Sequence, residues 1–224
     1  MQKKMKVEIW SDVVCPFCYI GKRRFEKALA NFSQKNQIEV IYRSFQLNPD
    51  IQTDTNKSVE QYLAESKGVT LSKATEMTQY VTDQAALEGL DFQMQNAVVA
   101  NTFRSHRILQ LALTQGKQQA MKERLLEAYF IEGKNIDDMG ILSNLSSDVG
   151  LTNVEEITKT DTFSDEVKRD ILASKQMGIQ GVPFFVFNRK YGISGAQETK
   201  VFAEAINQSF LEWKEESLQS QEGI

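Results

Sequence analysis

The sequence predicts an α/β fold in which a sheet built from both ends of the chain is interrupted by a large all-helical insertion. Three observations point there. The first 55 residues read β-α-β, and the segment from 178 onward reads β-β-α. Between them, residues 56–177 contain no proline and few β-branched clusters, but several stretches with helical periodicity. Strand-bearing ends segregated in this way must meet in one sheet, with the helices folded over it. The expected division is therefore 1–55 with 178–224 as one discontinuous domain, and 56–177 as a helical insertion domain.

Residues 5–11 (MKVEIWS) read as a buried strand, followed by a helix from Val13 to about Phe32. Ile20, Phe25, Ala28, Leu29 and Phe32 recur at spacings that give that helix one apolar face. Ile38 to Phe45 (IEVIYRSF) is β-branched and aromatic and reads as a second strand. Parallel pairing with the first strand needs a crossover helix, which residues 13–32 supply. Asn48-Pro49-Asp50 ends this unit. In the insertion, helices are expected over Val59–Ser66, Leu71–Glu88, Ala97–Thr114, Gln118–Phe130, Met139–Val149 and Ser164–Met177. Ser72, followed by Thr75-Glu76, marks the start of the second, and glycines at 89, 116, 133, 150 and 178 serve as stops. Phe184–Phe187 reads as buried strand, with Tyr191–Ser194 as its hairpin partner across Asn188-Arg189-Lys190. A last helix over 198–215 puts Val201, Phe202, Ala205, Ile206, Phe210 and Trp213 on one side, for burial against the sheet in preference to a dimer contact. Residues 219–224 are expected to fray.

Composition bounds the function. At 224 residues, 41% hydrophobic and 25% charged, the chain is an ordinary globular protein. A net charge of −4 argues against nucleic acid as the main partner, since phosphate contacts need clustered Lys and Arg. The basic start, Met1 to Lys6, has no apolar h-region behind it, and no apolar run is long enough to cross a bilayer. The expected address is the cytoplasm, where a lasting structural disulfide is disfavoured and a transient catalytic one is not.

Both cysteines of the chain lie in Cys15-Pro16-Phe17-Cys18, at a strand-to-helix junction. The free amides and dipole of a helix start favour the thiolate of Cys15, which should also be the more exposed sulfur. Cys18, one turn further in, is close enough to close a ring with it, so the pair reads as a redox switch. Two other readings stand beside this one. A Cys-x-x-Cys can be half of a zinc site, but only His106 remains as an imidazole or thiol partner, so zinc would need a carboxylate or a second chain. The thiols can also be inert buried packing.

Several segments together resemble the FrnE-like group of DsbA-type oxidoreductases, which have a thioredoxin fold with a helical insertion. They are Trp10-Ser11-Asp12 leading into Cys15-Pro16-Phe17-Cys18-Tyr19-Ile20-Gly21, Tyr42 to Pro49, Asn101-Thr102 with His106-Arg107, Gly181 to Val186, and Ile193-Ser194-Gly195-Ala196-Gln197. The resemblance spans nearly the whole chain, and it implies a central mixed sheet with flanking helices. It also implies a cis bond between Val182 and Pro183, which would bring that backbone beside the cysteines and free it to pair with an extended substrate.

On this resemblance Cys15 attacks, Cys18 resolves the mixed disulfide, and Pro16, Phe17, Val182 and Pro183 line the substrate site. No metal or bound cofactor is implied. The redox-active group is a Cys15–Cys18 disulfide, with glutathione or another thiol as co-substrate. Strongly oxidising relatives carry histidine at the place of Phe17, so a milder oxidant is expected, working as reductase or isomerase on protein or low-molecular-weight thiols and disulfides. Trp10, Asn101 and His106 are supporting candidates. Trp10 reads as packing beside the site. His106 reads either as a structural helix residue or, with Asn101, as part of a substrate or proton path. The Lys and Glu residues of 117–127 read as a solvated helix face, and Asp161, Asp165 and Glu166 as solvated helix ends.

Two other functions share this architecture: a glutathione-dependent isomerase or transferase resembling 2-hydroxychromene-2-carboxylate isomerases and kappa-class glutathione transferases, and a non-enzymatic adaptor. The isomerases usually have serine first and lack the second cysteine, so Cys18 favours the oxidoreductase. The expected assembly is a monomer or homodimer, with no nucleic-acid or membrane partner.

Overall fold

A computed structural model of the chain describes residues 4–222. Strand β1 (Met5–Ser11) leads into helix α1 (Pro16–Ala30), which crosses over to β2 (Ile38–Ser44). The two strands pair in parallel from Met5 opposite Ile38 to Ser11 opposite Ser44. The helical block follows as α2 (Val59–Lys67), α3 (Leu71–Ala86), α4 (Phe103–Thr114), α5 (Gln118–Phe130), α6 (Met139–Asp148), α7 (Val154–Lys159) and α8 (Ser164–Gln176). The chain then returns as the hairpin β3 (Phe184–Phe187) and β4 (Tyr191–Ser194) and ends in α9 (Thr199–Glu222). The sheet order is β2-β1-β3-β4, with β3 antiparallel to β1 and β4 antiparallel to β3. This is the expected mixed sheet, closed by the two ends of the chain.

Because β1 is central, both of its faces are covered, and its alternation sorts side chains between two layers. Met5, Val7 and Ile9 pack with Phe25 of α1, Phe185 and Phe187 of β3, and Phe202, Ile206, Phe210 and Trp213 of α9. On the opposite face Trp10 packs with Ile179 and Val186. Glu8 on that face is buried too, and Arg43 of β2 and Arg189 of the β3–β4 turn bond its carboxylate. The insertion has its own core, which takes in Val13, Tyr19 and Ile20 from the cysteine segment. Helical block and sheet therefore share α1.

Several boundaries differ from the sequence reading for local reasons. Helix α1 starts at Pro16, not Val13, because Asp12 Oδ1 accepts the Val13 amide and Cys15 is the extended N-cap, with φ −89° and ψ 112°. Thr70, not Ser72, caps α3 by accepting from the Lys73 amide. Helix α4 begins at Phe103, not Ala97. Val99 bridges to Asp54 as a short antiparallel pair, and Asn101 Oδ1 takes the Phe103 amide. Helix α7 was not foreseen: its six residues bury Val154 and Ile157 but are too few to show a period. Helix α9 continues past residue 215 to Glu222, so 219–222 are helical, while residues 223–224 lie outside the described residues. Gly116 and Gly178, expected as stops, take left-handed φ values of 68° and 71°.

Candidate active site

The site grows from the end of β1. Asp12, 1% exposed, accepts from the amides of Val13 and Leu47, each at 2.8 Å, and lies 3.1 Å from His106 Nε2 of α4. One carboxylate thus ties together the start of the cysteine segment, the chain leaving β2 and the insertion. Burial works to raise the Asp12 pKa, but the His106 hydrogen bond and charge, the Leu47 amide and the charge of Lys122 together hold it below the usual aspartate value.

Cys15 follows as N-cap of α1, and its carbonyl accepts from the Cys18 amide at 3.0 Å. Both cysteines are free thiols. The Cys15 thiol donates to the carbonyl of Val182 at 3.4 Å, and the Val182–Pro183 peptide bond is cis. Pro183 in turn is seated against α1 at Gly21: a Cβ there would lie 3.0 Å from Pro183 Cγ and 3.3 Å from Ala196 Cβ. The Gly195 amide donates to Pro183 O at 2.8 Å, and Arg24 of α1 donates to Ala196 O at 2.7 Å. Three segments distant in sequence therefore meet here: residues 15–21, 182–183 and 195–196.

Neither cysteine is open to bulk solvent, at 4% exposed for Cys15 and 3% for Cys18. Their surroundings shift the two thiols in opposite directions. A hydrogen bond shared with Cys18, then burial and the Cys18 and Asp12 charges, push the Cys15 thiol well above its ordinary range. For Cys18 burial pushes upward, but the bond from Cys15, the charge of Lys122 and a bond from Ser11 outweigh it and lower its pKa. The helix start acts on a sulfur that already faces a carbonyl lone pair, which disfavours an anion there. One proton shift along the Cys15–Cys18 contact exchanges the two forms.

A cavity of about 360 Å³ opens beside Cys15. Cys15, Pro16, Phe17 and Val182 form one wall, and Val59, Tyr62, Leu63, Met77, Val81 and Tyr129 of the helical block face them. Phe17 is 37% exposed at this wall, while Cys18 lies behind Cys15 and does not line the cavity. Trp10 is buried, and its Nε1 donates to Asp170 O at 3.0 Å, so it packs behind the strand and away from the cavity wall. Asn101 and His106 do not line it either, although Ala100 and Thr102 do. The Asn101 side-chain Nδ2 donates to Pro49 O and Ile51 O, which pins the chain after β2. His106 is 1% exposed and reaches the site only through Asp12.

The sequence reading missed Lys122. The Lys and Glu residues of 117–127 are not all solvated: Lys122 is wholly buried, and Glu123 is half-buried in a cluster with Tyr19, Lys22 and Arg23. Its position was the available signal, because 118, 121, 122, 125 and 129 fall on one helical face with the apolar Met121, Leu125 and Tyr129. Among the described residues no group of three or more His, Cys, Asp or Glu side chains could hold a metal ion, and no helix is long and apolar enough to cross a membrane.

Comparison with known proteins agrees with this geometry. The family model described as a DsbA-like thioredoxin domain matches residues 6–207. The uncharacterized protein YwbO of Bacillus subtilis is 30% identical over 216 residues, covering 90% of this chain and 95% of its own. The crystal structure of a probable DsbA oxidoreductase from Streptomyces coelicolor is 36% identical, with a TM-score of 0.85 over 92% of this chain and 90% of its own. Cytosolic disulfide reductase DsbM from Pseudomonas aeruginosa shares the fold at 15% identity, with a TM-score of 0.62 over 95% of this chain and 99% of its own. The chain belongs to the family of DsbA-like thioredoxin-domain oxidoreductases.

Proposed function

We propose that this protein is a thiol–disulfide oxidoreductase of the FrnE-like type in which Cys15 attacks and Cys18 resolves. One observation carries the assignment of roles: Cys15 lines the cavity, and Cys18 sits behind it, one turn along α1. A substrate disulfide entering the cavity meets Cys15 first. The reduced pair passes the Cys15 proton to Cys18, and the Cys15 thiolate attacks one substrate sulfur, so that the other leaves as a thiolate. Cys18, deprotonated in its turn, attacks the Cys15 sulfur of the mixed disulfide and releases the second substrate thiol. The protein is then the oxidised partner; one molecule of a thiol such as glutathione opens its disulfide to a mixed disulfide, and a second releases the dithiol and leaves as the glutathione disulfide.

Pro16, Phe17, Val182 and Pro183 are the proposed substrate contacts. The Val182–Pro183 backbone beside Cys15 supports pairing with an extended peptide, and the walled cavity supports small thiols and disulfides as well. In a cytoplasmic glutathione pool the pair stays largely reduced, which favours reductase or isomerase work.

Insulin-reduction turnover tests the reading. Cys15→Ser should abolish turnover, and Cys18→Ser should accumulate mixed disulfides with its substrates. Turnover unchanged in both variants refutes it.

A further inference from the structure

We infer that Lys122 is a positioning residue for the disulfide step: it holds the countercharge of the Cys18 thiolate while the pair is reduced, and gives up its proton as the disulfide closes. The inference rests on the oxidoreductase reading above and adds to it a residue from the helical insertion.

Lys122 is wholly buried, and its Nζ has no hydrogen-bond partner among the described residues. Its placement is fixed one turn earlier, where the Gln118 side chain accepts from the Tyr42 amide at 2.8 Å and donates to the Tyr42 carbonyl at 2.9 Å. The Lys122 Nζ then lies 5.8 Å from the centroid of the Tyr42 ring. An ammonium sealed from water without an acceptor is costly unless an anion compensates it.

The neighbours narrow the choice of anion. Tyr42 is buried, with its pKa pushed well up by that burial, so it is neutral. Asp12 already serves the amides of Val13 and Leu47 and His106 Nε2. Lys22 of α1 is also buried, but its own charge is met by Glu26 at 2.6 Å and Glu123 at 2.5 Å. Of the remaining anions, Cys18 acts on Lys122 more strongly than Asp12 does. Burial, with the like charge of Lys22, pulls the lysine pKa down, against the anionic groups beside it.

The proton and charge balance closes. The reduced protein holds one thiol, one thiolate and one ammonium. Oxidation by a disulfide R–S–S–R′ forms the Cys15–Cys18 bond and breaks the R–S–S–R′ bond. The two leaving sulfurs take one proton from the thiol and one from Lys122. Thiolate and ammonium vanish together, so neither buried charge is left alone.

The test uses the full chain with ε-carbon-13-labelled lysine, observed by NMR at neutral pH in both redox states. One lysine, absent from the spectrum of Lys122→Met, should be an ammonium in the reduced protein and a neutral amine in the oxidised one. In Lys122→Met the equilibrium against glutathione should move at least tenfold toward the disulfide, about 30 mV for two electrons. Its thiolate absorbance should also titrate at higher pH than in the wild type. A wild-type protein that forms the disulfide while every lysine keeps its charge overturns the inference, whether or not the variant folds. An unchanged equilibrium and titration in a folded variant does the same. A wild-type protein that forms no disulfide instead refutes the oxidoreductase reading itself.

Discussion

Three elements converge on the two oxygens of Asp12 beside the cysteines. Removing it leaves two amides and a buried imidazole without their acceptor, so Asp12→Ala should cost about 3–5 kcal/mol in urea unfolding. Its pKa is lowered in the folded protein, so the stability it gives is fully present above the unfolded aspartate value, about 3.9. That stability is lost as pH falls through the lower folded value. Asp12→Asn should therefore show a shallower loss of stability in acid than the wild type. At the cavity wall, Phe17 offers the pair neither charge nor hydrogen bond, and Phe17→His should shift the glutathione equilibrium toward the dithiol by about tenfold, as expected for a thiolate gaining a cationic neighbour. At this scale the cysteines were legible directly from their spacing, and the Val182–Pro183 bond and Gly21 only through the family resemblance. The burial of Lys122 was not legible, since it depends on how α5 packs against the rest of the chain. A lysine looks solvated until the helix that carries it is packed.

A cluster of ion pairs and hydrogen bonds joins α5 to α1. Glu123 accepts from Tyr19 at 2.6 Å, Lys22 at 2.5 Å and Arg23 at 3.0 Å, all on the cysteine-bearing helix. Burial opposes its ionisation, but Arg23 and Lys22 with the Tyr19 hydroxyl bring the Glu123 pKa from 4.5 down to about 2. The sign follows from linkage: the clamp stabilises the fold above pH about 4.5 and fades as pH falls toward 2. The cluster is partly open to solvent, so Glu123→Gln should lower stability by about 1–2 kcal/mol at neutral pH, and by almost nothing near pH 2. Chemical denaturation at the two pH values checks this. Element positions were largely legible, with β1, α5 and the β3–β4 hairpin bounded as their periodicity predicts. The misplaced boundaries lie where a side chain diverts the backbone, as Asp12 does before α1 and Asn101 before α4. Such diversions involve partners elsewhere in the chain and leave no local periodic signal.

Across the whole molecule, the sheet forms only when residues 184–194 return to β1, and α9 seals the layer that this creates. Phe210 and Trp213 fill that layer with Phe32 and the strand residues, so Trp213→Ala should cost about 3–5 kcal/mol. Loss of stability without any change of assembly would match burial of the helix within its own chain. The segregated order of strands and helices made this closure readable in advance, because separated strands have no other partners. The cavity was not readable, since its opposite walls come from segments whose packing no periodicity specifies. On the proposed function, these layers hold the two cysteines together with Cys15 at the cavity. Free-thiol counting across a series of glutathione redox buffers tests that claim most directly. A single two-electron transition from two free thiols to none, abolished by either cysteine-to-serine substitution, is the predicted result. Two free thiols at every buffer ratio would contradict it.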